Sequence, residues 1–450
     1  MRRPSAFLTR DDRRCSVCSS NHFRLHPIRK VATRMGKQLI QTHQFSNGLT
    51  LVAETMDDVQ SAAFSILVPS GSIYDPPNKR GTASILSELI TRGAGPFDSQ
   101  QLSCALDDLG VQRHEGITSG HITFSGATLA GNLAETLKIY GEILKNPHLP
   151  ENQFDAARAG IAQALLSVED DARQKALVEL KRHAFPAPWG LPNDGELEHL
   201  EFISIDDVRA LYDACFHPNE TIIGVAGNVD FEQVKQVIEE LFGDWKTSSI
   251  SEEPAMVFAD ENRFFTEQDT TQTHLGIAYD AVPYGHPEYY AAWAAVGILS
   301  GGMSARLFTE VREKRGLCYT VSASLSGMPG LGRVLCYAGT TSERAQETLD
   351  VTLHELTRLG DGIDESELER CKARAKSSLI MSQESTSSRA GSIARDWFYL
   401  KRITTLDQIN DEIQQLTTDR VLNYIHAHPA ANFTVLTIGP QPLEVPSDIS

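Results

Sequence analysis

Apolar residues along this chain alternate between two spacings. Every-second-residue runs predict strands, and three-to-four spacing predicts helices. Strands are predicted at Ala62–Pro69 (AAFSILVP), His121–Ser125, Thr273–Tyr279 (THLGIAY) and Arg333–Ala338. Leu133, Leu137, Tyr140, Ile143 and Leu144 share one helical face, as do Leu349, Leu353 and Leu356. Further helices are predicted from near Gly81, from about Pro287 to Leu299, and after turns at Pro150 and Asp364.

This pattern occurs twice. Residues 132–165 and 344–379 carry the same series of helix, turn and helix, each preceded by a strand (His121–Ser125 and Arg333–Ala338), with Glu135-Thr136-Leu137 falling on Glu347-Thr348-Leu349 at an offset of 212. Leu149 then falls on Ile363 and Phe154 on Leu368. A repeat of this length is an architectural signal. Neither copy alternates strand and helix strictly, so the expected class is α+β: two homologous α/β sandwich domains of about 200 residues each. The polar, non-periodic stretch Lys246–Glu261 is the natural linker. The expected division is a basic tail at 1–38, a first domain at 39–247, a linker at 248–264 and a second domain at 265–450. Such halves can be a plain structural duplication, or can face each other as a clamshell around a cavity.

Composition narrows the function. A hydrophobic content of 41% and a charged content of 22% suit a soluble globular protein, and no run of 18 apolar residues spans a membrane. The net charge of −18 argues against nucleic-acid binding. Residues 1–34 are the exception: nine basic side chains stand against Asp11 and Asp12, leaving the remainder at −25. This head fits either an Arg-rich targeting segment or translated sequence upstream of Met35. The seven cysteines are scattered and form no disulfide framework, as in a reducing compartment. Cys15, Cys18, His22 and His26 are zinc-capable but too crowded for a structural zinc module, and are taken as coincidence.

Two segments carry candidate chemistry. Gly81–Gly93 (GTASILSELITRG) is an amphipathic helix whose Ser84, Ser87 and Glu88 stand at i, i+3 and i+4, the spacing at which side chains meet. Gly301–Tyr319 (GGMSARLFTEVREKRGLCY) predicts a helix from about Ser304 to Arg315, a left-handed Gly316 after its end, and a strand Tyr319–Ala323. That turn can bring Arg312 near Tyr319. A guanidinium and a phenol together can hold a peptide carbonyl and stabilise an oxyanion. On spacing alone, Arg312 can equally cap carbonyls and Tyr319 can equally belong to a core.

Both segments resemble the pitrilysin and mitochondrial-processing-peptidase family. Gly81–Gly93 is similar to its inverted-zincin helix G-L-A-H-F-L-E-H-M-L-F-K-G, and Gly301–Tyr319 to its signature G-G-x-S-x-R-L-x-x-x-x-R-x-x-x-G-L-x-Y. Asn47–Glu54 (NGLTLVAE), Pro69–Asp75 and Gly224–Asp230 (GVAGNVD) resemble its flanking segments, so the likeness covers nearly all of residues 40–440. Carried over residue by residue, the two zinc-ligand histidines fall on Ser84 and Glu88, the water-activating glutamate on Ser87, and the distal zinc glutamate on or beside Ala164. No H-x-x-E-H occurs elsewhere; Glu198-His199 has Gly195 where the first histidine would stand.

The resemblance therefore implies a chain with no cofactor and no catalytic residue of its own. It implies Arg312 and Tyr319 as substrate-binding residues, and a homologous partner subunit carrying H-x-x-E-H and the zinc. Peptide would be the substrate of the pair, with a homodimer possible when the chain is alone. The short Leu299–Gly302 loop favours the compact, cytoplasmic bacterial type over presequence processing. The alternative is an inert structural or assembly protein of the same fold, as respiratory-complex core subunits resemble this family too.

Overall fold

The computed structural model describes residues 38–248 and 254–446. The basic head, with Cys15, Cys18, His22 and His26, lies outside the described residues, as does the middle of the linker.

Two sheets dominate. The first contains β1 (Leu39–Gln44), β2 (Thr50–Thr55), β3 (Ser61–Val68), β4 (Gln112–Ile117), β5 (Ile122–Leu129) and β6 (Ile222–Gly227), in the order β1-β2-β6-β3-β5-β4. The second contains β7 (Arg263–Glu267), β8 (Gln272–Ala281), β9 (Cys318–Met328), β10 (Leu331–Thr341) and β11 (Thr434–Gly439), in the order β9-β10-β8-β11-β7. Written from the other edge, β4-β5-β3-β6-β2 matches the second sheet strand for strand. In each the last pair is parallel and the others antiparallel. The mixed α/β architecture with two sheet-bearing halves is as the repeat foretold, and β1 is an extra edge strand.

The helices repeat as well. Four of the first half's helices have counterparts: α1 (Thr82–Leu89), α2 (Leu133–Lys145), α3 (Phe154–Asp170) and α4 (Ala172–Ala184). In the second they are α5 (Tyr289–Ser300), α6 (Ala345–Thr357), α7 (Glu365–Gln383) and α8 (Thr386–Leu400). The 212-residue offset holds at both ends of α2 and α6. Their buried faces, Leu137, Tyr140 and Ile143 against Leu349, Leu353 and Leu356, fill one core on each sheet.

The fourth of these helices in each half packs on the opposite sheet. Ala176 and Leu180 of α4 join Ala278, Tyr337 and Leu436 of the second sheet, while Ala390 of α8 joins Ala63 and Ala226 of the first. Backbone comes close at both contacts. A Cβ on Gly224 would lie 2.5 Å from the Ala390 carbonyl oxygen, and one on Gly276 would lie 3.1 Å from Leu180. A buried ion pair, Arg389 Nε to Glu54 Oε2 at 2.8 Å, fastens α8 to β2. The two sheets are thus laced together by exchanged helices (one from each half).

The predicted helix Ser304–Arg315 is shorter and wider than expected. Helical turns begin only at Arg306, and Phe308–Glu313 forms a π-helix. Arg306 holds this start by a bidentate ion pair with Glu367 of α7 and a bond to the Gly362 carbonyl. Gly316 is left-handed, at φ +59°, as foreseen.

Candidate functional site

Helix α1 is anchored by a carboxylate that stands outside it. Asp75, buried in the preceding loop, accepts the backbone N–H groups of Gly81 and Ala83, each at 2.7 Å. Burial pushes its carboxyl up to about 6, against the lowering effect of those two bonds and of Arg80. Ser84 is more enclosed than an amphipathic reading suggests: it is 3% exposed, and its hydroxyl donates to the Asn193 carbonyl at 3.1 Å. Ser87 is half-buried, while Glu88 faces solvent and pairs with Arg92 one turn on. Ala164 is exposed on α3, which packs against α1.

This donor set does not fit a zinc ion. A protein zinc site needs three or four imidazole, thiolate or carboxylate ligands. Here one hydroxyl is committed to a carbonyl, the single carboxylate to a guanidinium, and Ala164 has no donor atom. Nothing at Ser87 can act as a general base near neutral pH. Among the described residues, no group of three or more His, Cys, Asp or Glu side chains is placed to hold a metal.

The second segment differs. Arg306, Arg312, Lys314 and Arg315 are the cations of the signature, and three of them are paired. Arg306 pairs with Glu367, and Lys314 and Arg315 both pair with Glu310. Arg312 has no ion pair among the described residues; its guanidinium lies 4.8 Å from the Phe308 ring centroid, at the exposed end of the π-helix. Glu310 reaches Lys314 and Arg315, four and five residues on, whereas Arg312, two residues on, is not a facing neighbour in a helical turn.

Tyr319, 46% exposed, begins strand β9. Its hydroxyl donates to Gln272 Oε1 at 2.8 Å. Buried Tyr337 lies on the neighbouring strand, where its hydroxyl meets His274 Nδ1 at 2.7 Å. Arg173, at the start of α4, stacks 5.6 Å over the Tyr337 ring. Arg312 and Tyr319 therefore engage separate neighbours, Phe308 and Gln272.

Sequence reasoning missed Asp75 as the anchor of α1, the loop at Asn193, and the His274–Tyr337 hydrogen bond. A histidine in the otherwise apolar run THLGIAY was a legible cue, since a buried imidazole needs a partner. Asn193 gave none, because its partners Ser72, Ser84 and Ser119 all lie far from it in the chain.

Known proteins resemble this chain in family and fold. A family model described as "Insulinase (Peptidase family M16)" matches residues 51–187, and one described as "Peptidase M16 inactive domain" matches residues 203–375. An uncharacterized zinc protease of Bacillus subtilis is 26% identical over 388 residues, covering 85% of this chain and 94% of the relative. Another from Rickettsia felis is 24% identical and covers 90% of this chain and 99% of the relative. Among solved structures, a peptidase M16 inactive domain from Pseudomonas fluorescens superposes with a TM-score of 0.81 at 20% identity. A protease from Helicobacter pylori does so with a TM-score of 0.81 at 18% identity. Each covers 90% of this chain and is itself covered completely, which establishes the clamshell-type fold.

Proposed function

The chain belongs to the M16 peptidase family and lacks its H-x-x-E-H motif, and from that premise we propose that it is the non-catalytic, substrate-binding subunit of a heterodimeric zinc peptidase. A homologous partner carrying H-x-x-E-H would hold the zinc and activate water. This chain would supply Arg312 and Tyr319 to the peptide.

The observation that carries the reading is the contrast between the two segments. Ser84 is buried on a carbonyl and Glu88 is spent on Arg92, whereas Arg312 is exposed with no ion pair among the described residues and Tyr319 is exposed beside Gln272, to which its hydroxyl is bonded. A phenol already held by a hydrogen bond loses little rotational freedom on meeting a carbonyl, and an unpaired guanidinium need not break a bond to do so. Such groups stabilise an oxyanion when already oriented. The net charge of −18 favours basic peptides at long range.

The test is peptidase activity with metal analysis, for the chain alone and mixed with an H-x-x-E-H homologue from the same genome. Activity only in the mixture, with zinc only in the partner, is the expected result. In that mixture Arg312→Ala and Tyr319→Phe should each lower kcat/KM by about a hundredfold or more, the usual scale for one oxyanion donor. A stable but inactive pair would move the assignment to an assembly protein of the same fold.

A further inference from the structure

Between the two sheets lies a cavity of about 350 Å³, walled by the start of β5, the end of β9, α4, the loop after it, and α8. Its lining holds His121, Lys181 and Arg395 beside the aromatic rings of Phe185, Trp189 and Phe398, and no carboxylate among the described residues. His121 is held neutral near pH 7 by burial, so Lys181 and Arg395 are the charged groups of the lining, unusual in a chain carrying −18 overall.

These cations are not spent on each other's neighbours. The Lys181 ammonium makes one long hydrogen bond, to Ser119 Oγ at 3.3 Å, which leaves two N–H donors. Burial without a counter-ion pushes its pKa below the usual lysine range. Arg395 has neither an ion pair nor a hydrogen-bond partner among the described residues; it lies 5.7 Å from the Tyr284 ring centroid. Its sequence neighbour Asp396 is occupied by the Tyr284 hydroxyl at 2.7 Å and the Thr404 N–H at 3.1 Å. Trp189 is 4% exposed, and its indole N–H has no acceptor. A buried donor without a partner costs about 1–3 kcal/mol, and the Trp189 N–H is such a donor; the part-buried Lys181 and the exposed Arg395 stand at the same cavity with donors to spare, the complement of an anionic acceptor.

We propose that this cavity binds a carboxylate carried on an apolar or aromatic body of amino-acid size. The carboxylate would accept from Arg395, Lys181 and the Trp189 N–H, and the body would lie against Phe185, Phe398 and Met328. The volume is at the small end of ligand sites, which suits one residue rather than an extended peptide. Two sources share this chemistry: the C-terminal residue of a peptide, and a free acid such as an acylated aromatic amino acid. The cavity belongs to this chain alone, so the proposal stands independently of any partner subunit.

Isothermal titration calorimetry of the full chain tests it. The probes are N-acetyl-phenylalanine, its amide, and a phenylalanine-terminated pentapeptide with a free or an amidated end. The acids should bind saturably and the amides at least about tenfold more weakly, because a charge-assisted bond is worth that much. Arg395→Gln and Lys181→Gln should each cost about tenfold in affinity for the acids, and Trp189→Phe a few-fold, with circular dichroism confirming that each variant is folded. If Lys181→Gln fails to fold, Arg395→Gln carries the comparison. Binding of the free-acid peptide identifies a peptide terminus as the source, and binding of N-acetyl-phenylalanine alone identifies a free acid. Equal affinity for acid and amide, or no saturation by any acid up to about 10 mM, would overturn the proposal.

Discussion

Asp75 and His121 show how single buried groups set the pH response of this molecule, and they act in opposite directions. The His121 ring is 6% exposed, and burial, with a smaller effect from the Lys401 charge, holds its pKa down to about 4. The unfolded imidazole protonates near 6.5. Its contribution is therefore complete above pH 6.5 and is lost as pH falls towards 4, up to about 3 kcal/mol. Asp75, pushed up to about 6, takes its proton in the folded state first, so its contribution grows as pH falls from about 6 to about 4. His121→Phe should flatten the acid limb of a stability profile measured by urea melts between pH 7 and 4. Asp75→Asn should steepen the loss over the lower part of that window. At neutral pH Asp75→Ala should cost about 2–4 kcal/mol, because two buried N–H donors lose their acceptor. None of this was legible in the sequence: the positions were visible, but enclosure depends on the loop at Asn193 and on Phe398, both distant in the chain.

At the scale of elements, period and repeat were legible and partners were not. The apolar stripes of α2 and α6 named their own buried faces, and β3, β5, β8 and β10 followed from alternation. The Ser304–Arg315 segment failed as a regular helix because the bidentate Arg306–Glu367 pair fixes its start and a π turn absorbs the remainder. Helix α8 carries Arg389 on a face that reads as ordinary polar surface, yet its guanidinium is buried against Glu54. Arg389→Ala should destabilise by about 3–5 kcal/mol, since it strands a buried carboxylate. Replacing both partners, as Glu54→Leu with Arg389→Met, should cost much less. Chemical denaturation of the three proteins separates these outcomes. Gly224→Ala should likewise lower the melting temperature, because its new methyl would sit 2.5 Å from a backbone oxygen of α8 with little room to move.

For the whole molecule, the duplicated sheets were legible in the 212-residue offset, whereas the exchange of α4 and α8 was not, because a helix stripe does not record which sheet it covers. The exchange makes the two halves one thermodynamic unit: neither sheet can be uncovered without disturbing the other's helix. A single calorimetric transition is expected, with calorimetric and van't Hoff enthalpies equal, instead of two separate domain melts.

The same exchange has a consequence for how the protein is made. A ribosome delivers the first sheet by residue 227 but its covering helix α8 only between residues 386 and 400. At about 5–20 residues per second, that sheet waits on the order of ten seconds or more with Ala63, Ala226 and the Glu54 carboxylate facing water. A nascent chain paused in this interval is a substrate for chaperones, and a premature stop before Arg389 would leave a fragment whose open face invites aggregation rather than a free-standing half.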